Sequence, residues 1–389
     1  MQRSNVLVVG AGIGGMAAAL ALLRAGQRVR IIEQASELGE VGAGLSITPN
    51  AGRALIALGL GAALQDIGST PSVGAIRHYA SGEILVSLSQ DDTRGKYGVP
   101  LYHVHRADLH HALLQAVMAL DPRCLQTGCS LRSIGFRADG VLVGLADGNT
   151  LSADWLVGCD GVRSATRAAM FGADEPHFTG YVAWRGLVPA ELLPQALREP
   201  PLCMTVGPRR MLMRYPLRGG SLINFVALAR RDAWAEEGWS VRSRLDELLA
   251  QFADFEPGAR RLLELTPADR CFVWGLFDRA PLASWMHGRA VLLGDAAHAI
   301  PPFTGQGAAL ALEDAVVLGR AAAAAADPDE AMRRYQQARH QRASAGLAMS
   351  RARAALYFAD DPAQQVRALG AGMSELRILY DYDAGSVPV

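Results

Sequence analysis

Val6-Leu7-Val8-Val9-Gly10-Ala11-Gly12-Ile13-Gly14-Gly15 stands near the start of the chain, followed by an Ala/Leu-rich run and then Arg30-Ile31-Ile32-Glu33. The order reads as a buried strand, a glycine turn, a helix and a second strand that ends in an acid about 20 residues past the glycines. Gly10 permits the tight turn, Gly12 lets the backbone approach a pyrophosphate, and Gly15 lets helix and strand pack closely. Ala11 lies within the turn, and the helix start beyond it supplies unpaired N–H groups and partial positive charge. Glu33, with Gln34 beside it, is placed to accept hydrogen bonds from ribose hydroxyls, and an acid there disfavours a 2′-phosphate. The expectation is a bound dinucleotide in a Rossmann-like α/β domain. This spacing does not distinguish FAD from NAD.

Composition bounds the rest. With 389 residues, 50% of them hydrophobic, the chain can bury a large core and is expected to form two lobes. Lys+Arg and Asp+Glu both number 38, so no basic excess argues for nucleic acid. Cys124, Cys129, Cys159, Cys203 and Cys271 show no CxxC or CxxH spacing and read as small core residues in a reducing cytoplasm, with no metal site. The first strand begins within a few residues of Met1, leaving no room for a signal peptide. The longest apolar stretch, Met16 to Leu23, is too short to span a bilayer. These features lead to the expectation of a cytoplasmic enzyme, monomeric or homodimeric, away from membranes.

Further along, Gly39-Glu40-Val41-Gly42-Ala43-Gly44 reads as a loop and Asn50 to Leu58 as a helix. Val73 to Leu88 changes to strand, turn and strand, so the chain leaves the first lobe there. His105 to Leu120 is an amphipathic helix, Leu131 to Leu151 a β-meander, and Trp155-Leu156-Val157-Gly158 a strand returning to the nucleotide lobe. Strands are expected over Tyr181 to Val188, Met211 to Leu217, Leu222 to Ala229 and Arg289 to Leu293. Gly307 to Arg320 reads as a helix followed by an alanine tract without a message, and Glu330 to Tyr357 as a long helix lying as a lid over the nucleotide lobe. The expected division is a discontinuous nucleotide domain (1–72, 98–176 and 272–330), an inserted β-sheet substrate domain (73–97 and 177–271) and a C-terminal helical segment (331–389).

Two later segments join the first. One is Gly158-Cys159-Asp160-Gly161-Val162-Arg163-Ser164-Ala165-Thr166-Arg167, the other Gly294-Asp295-Ala296-Ala297-His298-Ala299-Ile300-Pro301-Pro302-Phe303-Thr304-Gly305-Gln306-Gly307. In this order and at these separations, the three segments resemble the FAD-dependent aromatic hydroxylases, single-component flavoprotein monooxygenases of the salicylate and hydroxybenzoate hydroxylase type. The likeness extends through Thr179-Gly180-Tyr181-Val182-Ala183-Trp184-Arg185-Gly186 and His105-Arg106-Ala107-Asp108-Leu109. It implies a tightly bound, non-covalent FAD. It further implies NAD(P)H as a transient co-substrate, since no second GxGxxG is present, and O₂.

The resemblance assigns residues. Asp295 would accept a hydrogen bond from a ribityl hydroxyl, and the N–H groups around Gly305, Gly307 and Ala308 would face the pyrimidine edge, where negative charge grows on reduction. Arg106 would contact the cofactor's phosphate and ribityl region. A cation in the first turn opposes the helix dipole, which favours a ligand role. Asp160 would touch FAD and influence the nicotinamide, or else cap the helix beginning near Val162. His298 reads as a proton relay or catalytic base or, more in keeping with its place, as the residue that orients the loop after Asp295. Pro301-Pro302 fixes that loop beside the reactive face of the ring, with Thr304 adding a polar contact.

On the substrate side, Met211, Met213 and Tyr215 share one strand face by alternation, while Arg214 faces away. Relatives acting on hydroxylated aromatic acids often carry a histidine at Met211 and a tyrosine at Tyr215. Some pyridine-acid hydroxylases carry a histidine at Ser46. Both histidines are missing here, and a Met/Tyr pocket suits a flat apolar ring. The implied function is hydroxylation of an aromatic or heteroaromatic compound, such as a hydroxybenzoate or pyridine acid, through a flavin C4a-hydroperoxide. The alternatives are a same-fold epoxidase or hydroxylase of a polycyclic or non-aromatic compound, and a flavin-binding sensor without turnover. The absence of a Trp-x-Trp-x-Ile-Pro segment disfavours flavin halogenation.

Overall fold

The computed structural model describes residues 3–39, 43–89, 91–234, 241–242, 244–369 and 375–389. Residues 40–42 of the loop expected after Glu33 fall outside this set.

The central strands of the nucleotide sheet are apolar at consecutive positions and buried on both faces. Its order is Met286–His287, Ala290–Leu292, Trp155–Gly158, Asn5–Val9, Arg28–Ile32 and Leu125–Gln126. All neighbours are parallel except the first pair. The glycine turn therefore sits at the C-terminal end of a central strand, where ligands of open α/β sheets bind. Helix Ile13–Arg24 packs on this sheet and against helix Gly307–Ala324, at such close range that a Cβ on Gly319 would lie 2.7 Å from Ala21 Cβ. The alanine tract has a message after all. The helix runs on to Ala324 instead of ending at Arg320, and Ala321, Ala322 and Ala325 are buried in the nucleotide core.

The second lobe is an eight-stranded sheet in the order Val241–Arg242, Cys271–Asp278, His177–Pro189, Leu222–Arg230, Arg210–Leu217, Leu202–Gly207, Val73–His78 and Ile84–Ser89. Leu202–Gly207 pairs in parallel with Val73–His78, and the other pairs are antiparallel. Strand Leu202–Gly207 was not anticipated from the sequence, and strand Cys271–Asp278 carries the sheet past the division expected at 271/272. On the outer face, Trp184, Phe225 and Leu212 pack with Phe252, Phe255 and Leu262.

The inner face carries Met211, Leu228 and Trp274, which meet Ala354, Tyr357 and Phe358 at the end of the long helix. That helix, Pro328–Tyr357, is capped by Asp327 and buries Tyr335 and Arg339 near its start. It thus belongs to the cores of both lobes, where a lid over one had been expected. A two-stranded sheet, Gly44–Ile47 against Tyr102–His105, lies between them. A separate meander, Leu131–Arg137, Gly140–Leu145 and Thr150–Ala153, matches its expected position. Among the described residues, no helix is long and apolar enough to cross a membrane, and no three His, Cys, Asp or Glu side chains cluster as metal ligands.

Candidate active site

The glycine turn is dictated by contact. Gly10 has φ of 96°, and a Cβ there would sit 2.6 Å from the Cys159 carbonyl oxygen; one on Gly15 would sit 1.9 Å from the Gly10 oxygen. On Gly12 a Cβ would meet nothing within 4 Å, so this side of the turn is open. Gly12 caps the helix without a side-chain hydrogen bond, leaving first-turn N–H groups available for an anion. Glu33 accepts from Ala11 N at 2.8 Å and Ala35 N at 2.9 Å. Its carboxylate is thereby fixed at the turn, and each oxygen keeps acceptor capacity. Gln34 is exposed beside it. His110, which sequence reading passed over, is buried and donates from Nε2 to the Ala11 carbonyl at 2.6 Å, pinning the turn from behind.

In the second motif, Asp160 accepts from Ser164 Oγ at 2.5 Å and from Thr166 N and Oγ1 at 2.9 and 3.0 Å. The helix starts at Ala165 with Ser164 as its cap, three residues later than expected. The Asp160 carboxylate thus braces its own loop. Arg167, 2% exposed, donates to the carbonyls of Ala296 and Ala297 at 3.4 and 3.3 Å and so ties the second motif to the third.

The third motif is fixed from beneath. His298 is buried and bonds through Nε2 to Asp314 at 2.6 Å, while Asp314 also accepts from Gly294 N at 3.1 Å and Arg339 Nε at 2.6 Å. Burial alone would push the Asp314 carboxyl up, but the charges of His298 and Arg339 outweigh it and hold the pKa at about 2. Its one ring nitrogen with a described partner serves a buried carboxylate, which favours the reading of His298 as the residue that orients the loop after Asp295 over a catalytic one.

Asp295 is half-buried at the start of a one-turn helix, Asp295–His298. Burial pushes its carboxyl up, opposed by the charges of His298 and Arg106. That opposition places Arg106 within electrostatic reach of Asp295, although 189 residues of sequence separate them. Arg106 opens helix Arg106–Leu120, and its N–H donates to the Ala43 carbonyl at 2.8 Å.

Gly305 adopts φ of 65° to close the turn begun at Pro302, with its N–H on the Pro302 carbonyl at 3.0 Å. Gln306 donates to Thr48 Oγ1 at 3.1 Å and accepts from Asn50 at 2.9 Å, and Ser350 of the long helix donates to the Pro301 carbonyl at 2.6 Å. Pro302 is exposed at the surface of this braced loop, with Gly305, Gly307 and Ala308 half-buried behind it. Thr304 Oγ1 is buried and meets no hydrogen-bond partner among the described residues. The open Gly12 face, the uncapped helix start, the Asp295–Arg106 neighbourhood and this spare hydroxyl together fit an extended, polyhydroxylated dinucleotide.

Above the loop lies the inner face of the large sheet. Register places Met213 and Arg185 opposite Val226 from either side, and Tyr215 opposite Asn224, so these five share one face. Met211 sits deeper than a pocket wall requires, at 4% exposure in a cluster with Ile76, Trp274, Tyr357 and Phe358, whereas Met213 is half-buried at the edge of that cluster. Arg185 stacks over Trp274 with 3.7 Å between guanidinium and ring centroid. Burial pushes the Tyr215 phenol well above its ordinary pKa, against the charge of Arg185, so it is neutral at pH 7 and is no base. Ser46 is close by: a Cβ on Gly305 would lie 3.7 Å from Ser46 Cβ, and one on Gly44 would lie 2.5 Å from Tyr215 Cε2. Arg185, Trp274, Asn224 and His103 were not singled out from the sequence, because only register across several strands brings them here.

Comparison with known proteins agrees with this geometry. The FAD binding domain family matches residues 3–350. A 3-amino-4-hydroxybenzoate 2-monooxygenase of Streptomyces platensis is 36% identical over 369 residues, spanning 94% of this chain and 92% of that protein. A 3-hydroxybenzoate 6-hydroxylase of Klebsiella oxytoca is 35% identical over 368 residues, spanning 94% and 91%. HpxO of Klebsiella pneumoniae, solved with FAD and uric acid, superposes with a TM-score of 0.87 at 28% identity, covering 97% of this chain and 96% of that one.

Proposed function

This chain belongs to the FAD-dependent aromatic hydroxylases and is an NAD(P)H- and O₂-using flavoprotein monooxygenase; on that premise we propose that its substrate is a carboxylated ring, an amino- or hydroxybenzoate or a hydroxypyridine acid. Arg185 carries this reading. It is a cation clamped over Trp274 on a sheet face otherwise made of Met213, Val226 and Tyr215. Such a wall recognises a flat apolar ring bearing one anion. The named substrates of the two relatives, an aminohydroxybenzoate and a hydroxybenzoate, have this form.

FAD, when bound, supplies the redox chemistry: it takes hydride from NAD(P)H and activates O₂. Gly10, Ala11, Gly12, Gly15, Glu33 and Arg106 would hold its pyrophosphate and adenosine side, with Gln34 at the exposed edge and Asp160 shaping the neighbouring loop. Asp295, Gly305, Gly307 and Ala308 would hold the ribityl and pyrimidine side. Pro302 closes the pocket floor, while Met213, Tyr215 and Ser46 position the ring and exclude water from it. The substrate domain corresponds to 73–97 and 177–271, with strand Cys271–Asp278 completing its sheet. We further infer a monomer or homodimer in a reducing cytoplasm, in keeping with five cysteines that show no metal-ligand or disulfide spacing.

The test is a panel of ring acids, their amides and neutral phenols assayed by NAD(P)H oxidation with product mass spectra. Ring acids should trigger oxidation and gain one oxygen. Turnover of neutral polycyclic compounds alone would contradict the proposal.

A further inference from the structure

In the two-stranded sheet, Ser46 lies directly opposite His103. Alternation sends Ile47, Tyr102 and Val104 into the nucleotide core and leaves Gly44, Ser46 and His103 facing the large sheet. There the His103 ring, 1% exposed, stacks on Tyr215 at 4.2 Å between centroids and 20° between planes. Its Nδ1 lies 3.2 Å from Ser46 Oγ, and its Nε2 is buried with no hydrogen-bond partner among the described residues. Gly44 N donates to Asn224 Oδ1 at 2.8 Å, locking the same strand to the large sheet.

We propose that His103 is a positioning residue that makes Ser46 a hydrogen-bond donor to an oxygen of the bound substrate, so that this pocket stabilises an ionised ring and does not itself remove the proton. Burial drives the His103 pKa down to about 3, so the ring is neutral in the working range and carries a single N–H. Placing that hydrogen on Nε2 would orphan a buried donor, the rarer and costlier arrangement. The hydrogen therefore sits on Nδ1 and is donated to Ser46 Oγ, which leaves the serine's own proton free to be given away. Ser46 is half-buried beside the Gly305 loop, on the side where the ring-acid reading puts the substrate. The titratable group facing His103 from the large sheet is Tyr215, itself neutral and influenced by Arg185. A neutral imidazole already donating through Nδ1 has no vacancy for a proton relayed through Ser46. Stabilising a phenolate by donation, with no base at Met211 or Ser46, is the chemistry left to this wall.

The inference rests on the ring-acid reading above, and the experiment separates the two. The FAD-loaded protein is titrated with 4-hydroxy-3-nitrobenzoate without NAD(P)H, and the pH of phenol ionisation in the complex is read by difference absorbance. Wild type should bind the probe and lower its phenol pKa. Ser46→Ala should lose about tenfold in the bound ionisation constant, His103→Phe, which keeps the ring stack, should lose a similar factor, and Ser46→Thr should retain the shift. An unchanged phenol pKa in Ser46→Ala, or in His103→Phe with Ser46 intact, overturns the inference. So does an altered flavin spectrum with an unchanged phenol pKa, which would place the hydroxyl on the flavin. Failure of the wild-type protein to bind this probe or any acid of the panel would instead strike the ring-acid reading itself.

Discussion

The cofactor cradle and the substrate wall are built by different means. The cradle is made of backbone: its glycines, N–H groups and loop carbonyls are fixed by near contacts such as Gly15 on Gly10 and by buried ions beneath them. The wall is made of side chains contributed by separate strands, with Arg185, Met213, Tyr215 and Val226 aligned only by sheet register. A backbone cradle tolerates few substitutions and serves one cofactor. A register-built wall can change one residue at a time and so change substrate.

The strongest way to break this contrast is at the cradle's foundation. Arg339 is fully buried and bonds both Glu313, at 2.7 Å, and Asp314, at 2.6 Å. Arg339→Leu removes the cation shared by two buried carboxylates, leaving Asp314 to His298 and Glu313 to Arg342, and should cost about 3–5 kcal/mol of stability, read as a lower denaturant midpoint. The same network sets an acid limit. Asp314 is held at about 2, below its ordinary 3.8, so its stabilisation is complete above the higher value and is lost as pH falls through the lower. Denaturation at a series of pH values should show that loss in wild type and a much weaker one in Asp314→Asn.

Asp295→Ala probes the cradle without its foundation, since the cap of its one-turn helix is Gly294 and not Asp295. Loss of a charge-assisted bond to a sugar hydroxyl should weaken FAD binding by roughly 10- to 150-fold with little change in the unfolding midpoint. Fluorescence titration showing wild-type affinity would remove Asp295 from the cradle.

Tyr215→Phe sharpens the other side. It keeps the ring stacked on His103 but removes the hydroxyl, and should cost about 1–3 kcal/mol in kcat/KM or raise the fraction of hydrogen peroxide, with FAD binding intact. Parallel loss of FAD would show that wall and cradle are not separable.

The contrast also explains what was legible in the sequence. The glycine turn at Gly10, Gly12 and Gly15 could be read because close backbone contacts impose local spacing, and strand alternation correctly placed Met213 and Tyr215 on one face. Arg185 was visible only as part of a motif, because its partner Trp274 lies 89 residues away. His103 and Asn224 gave no local signal, and neither did the buried Asn50, whose amide reaches from its own helix to Gln306 and Glu313, the cap and the second turn of a distant one. His298 was ambiguous until Asp314 and Trp285 were seen beside it. Asp160 carried both readings, and its three hydrogen bonds favour bracing the loop.

The proposal to be tested is that a backbone cradle for FAD lies under a wall on which Arg185, clamped over Trp274, selects a ring acid. Its most direct measurement compares KM for a ring acid and for the matching amide, in wild type and in Arg185→Gln. The account predicts that wild type prefers the acid and that Arg185→Gln raises KM for the acid by about 10- to 100-fold, leaves the amide nearly unchanged and retains FAD. Equal preference for acid over amide in both proteins, with FAD bound, would contradict it.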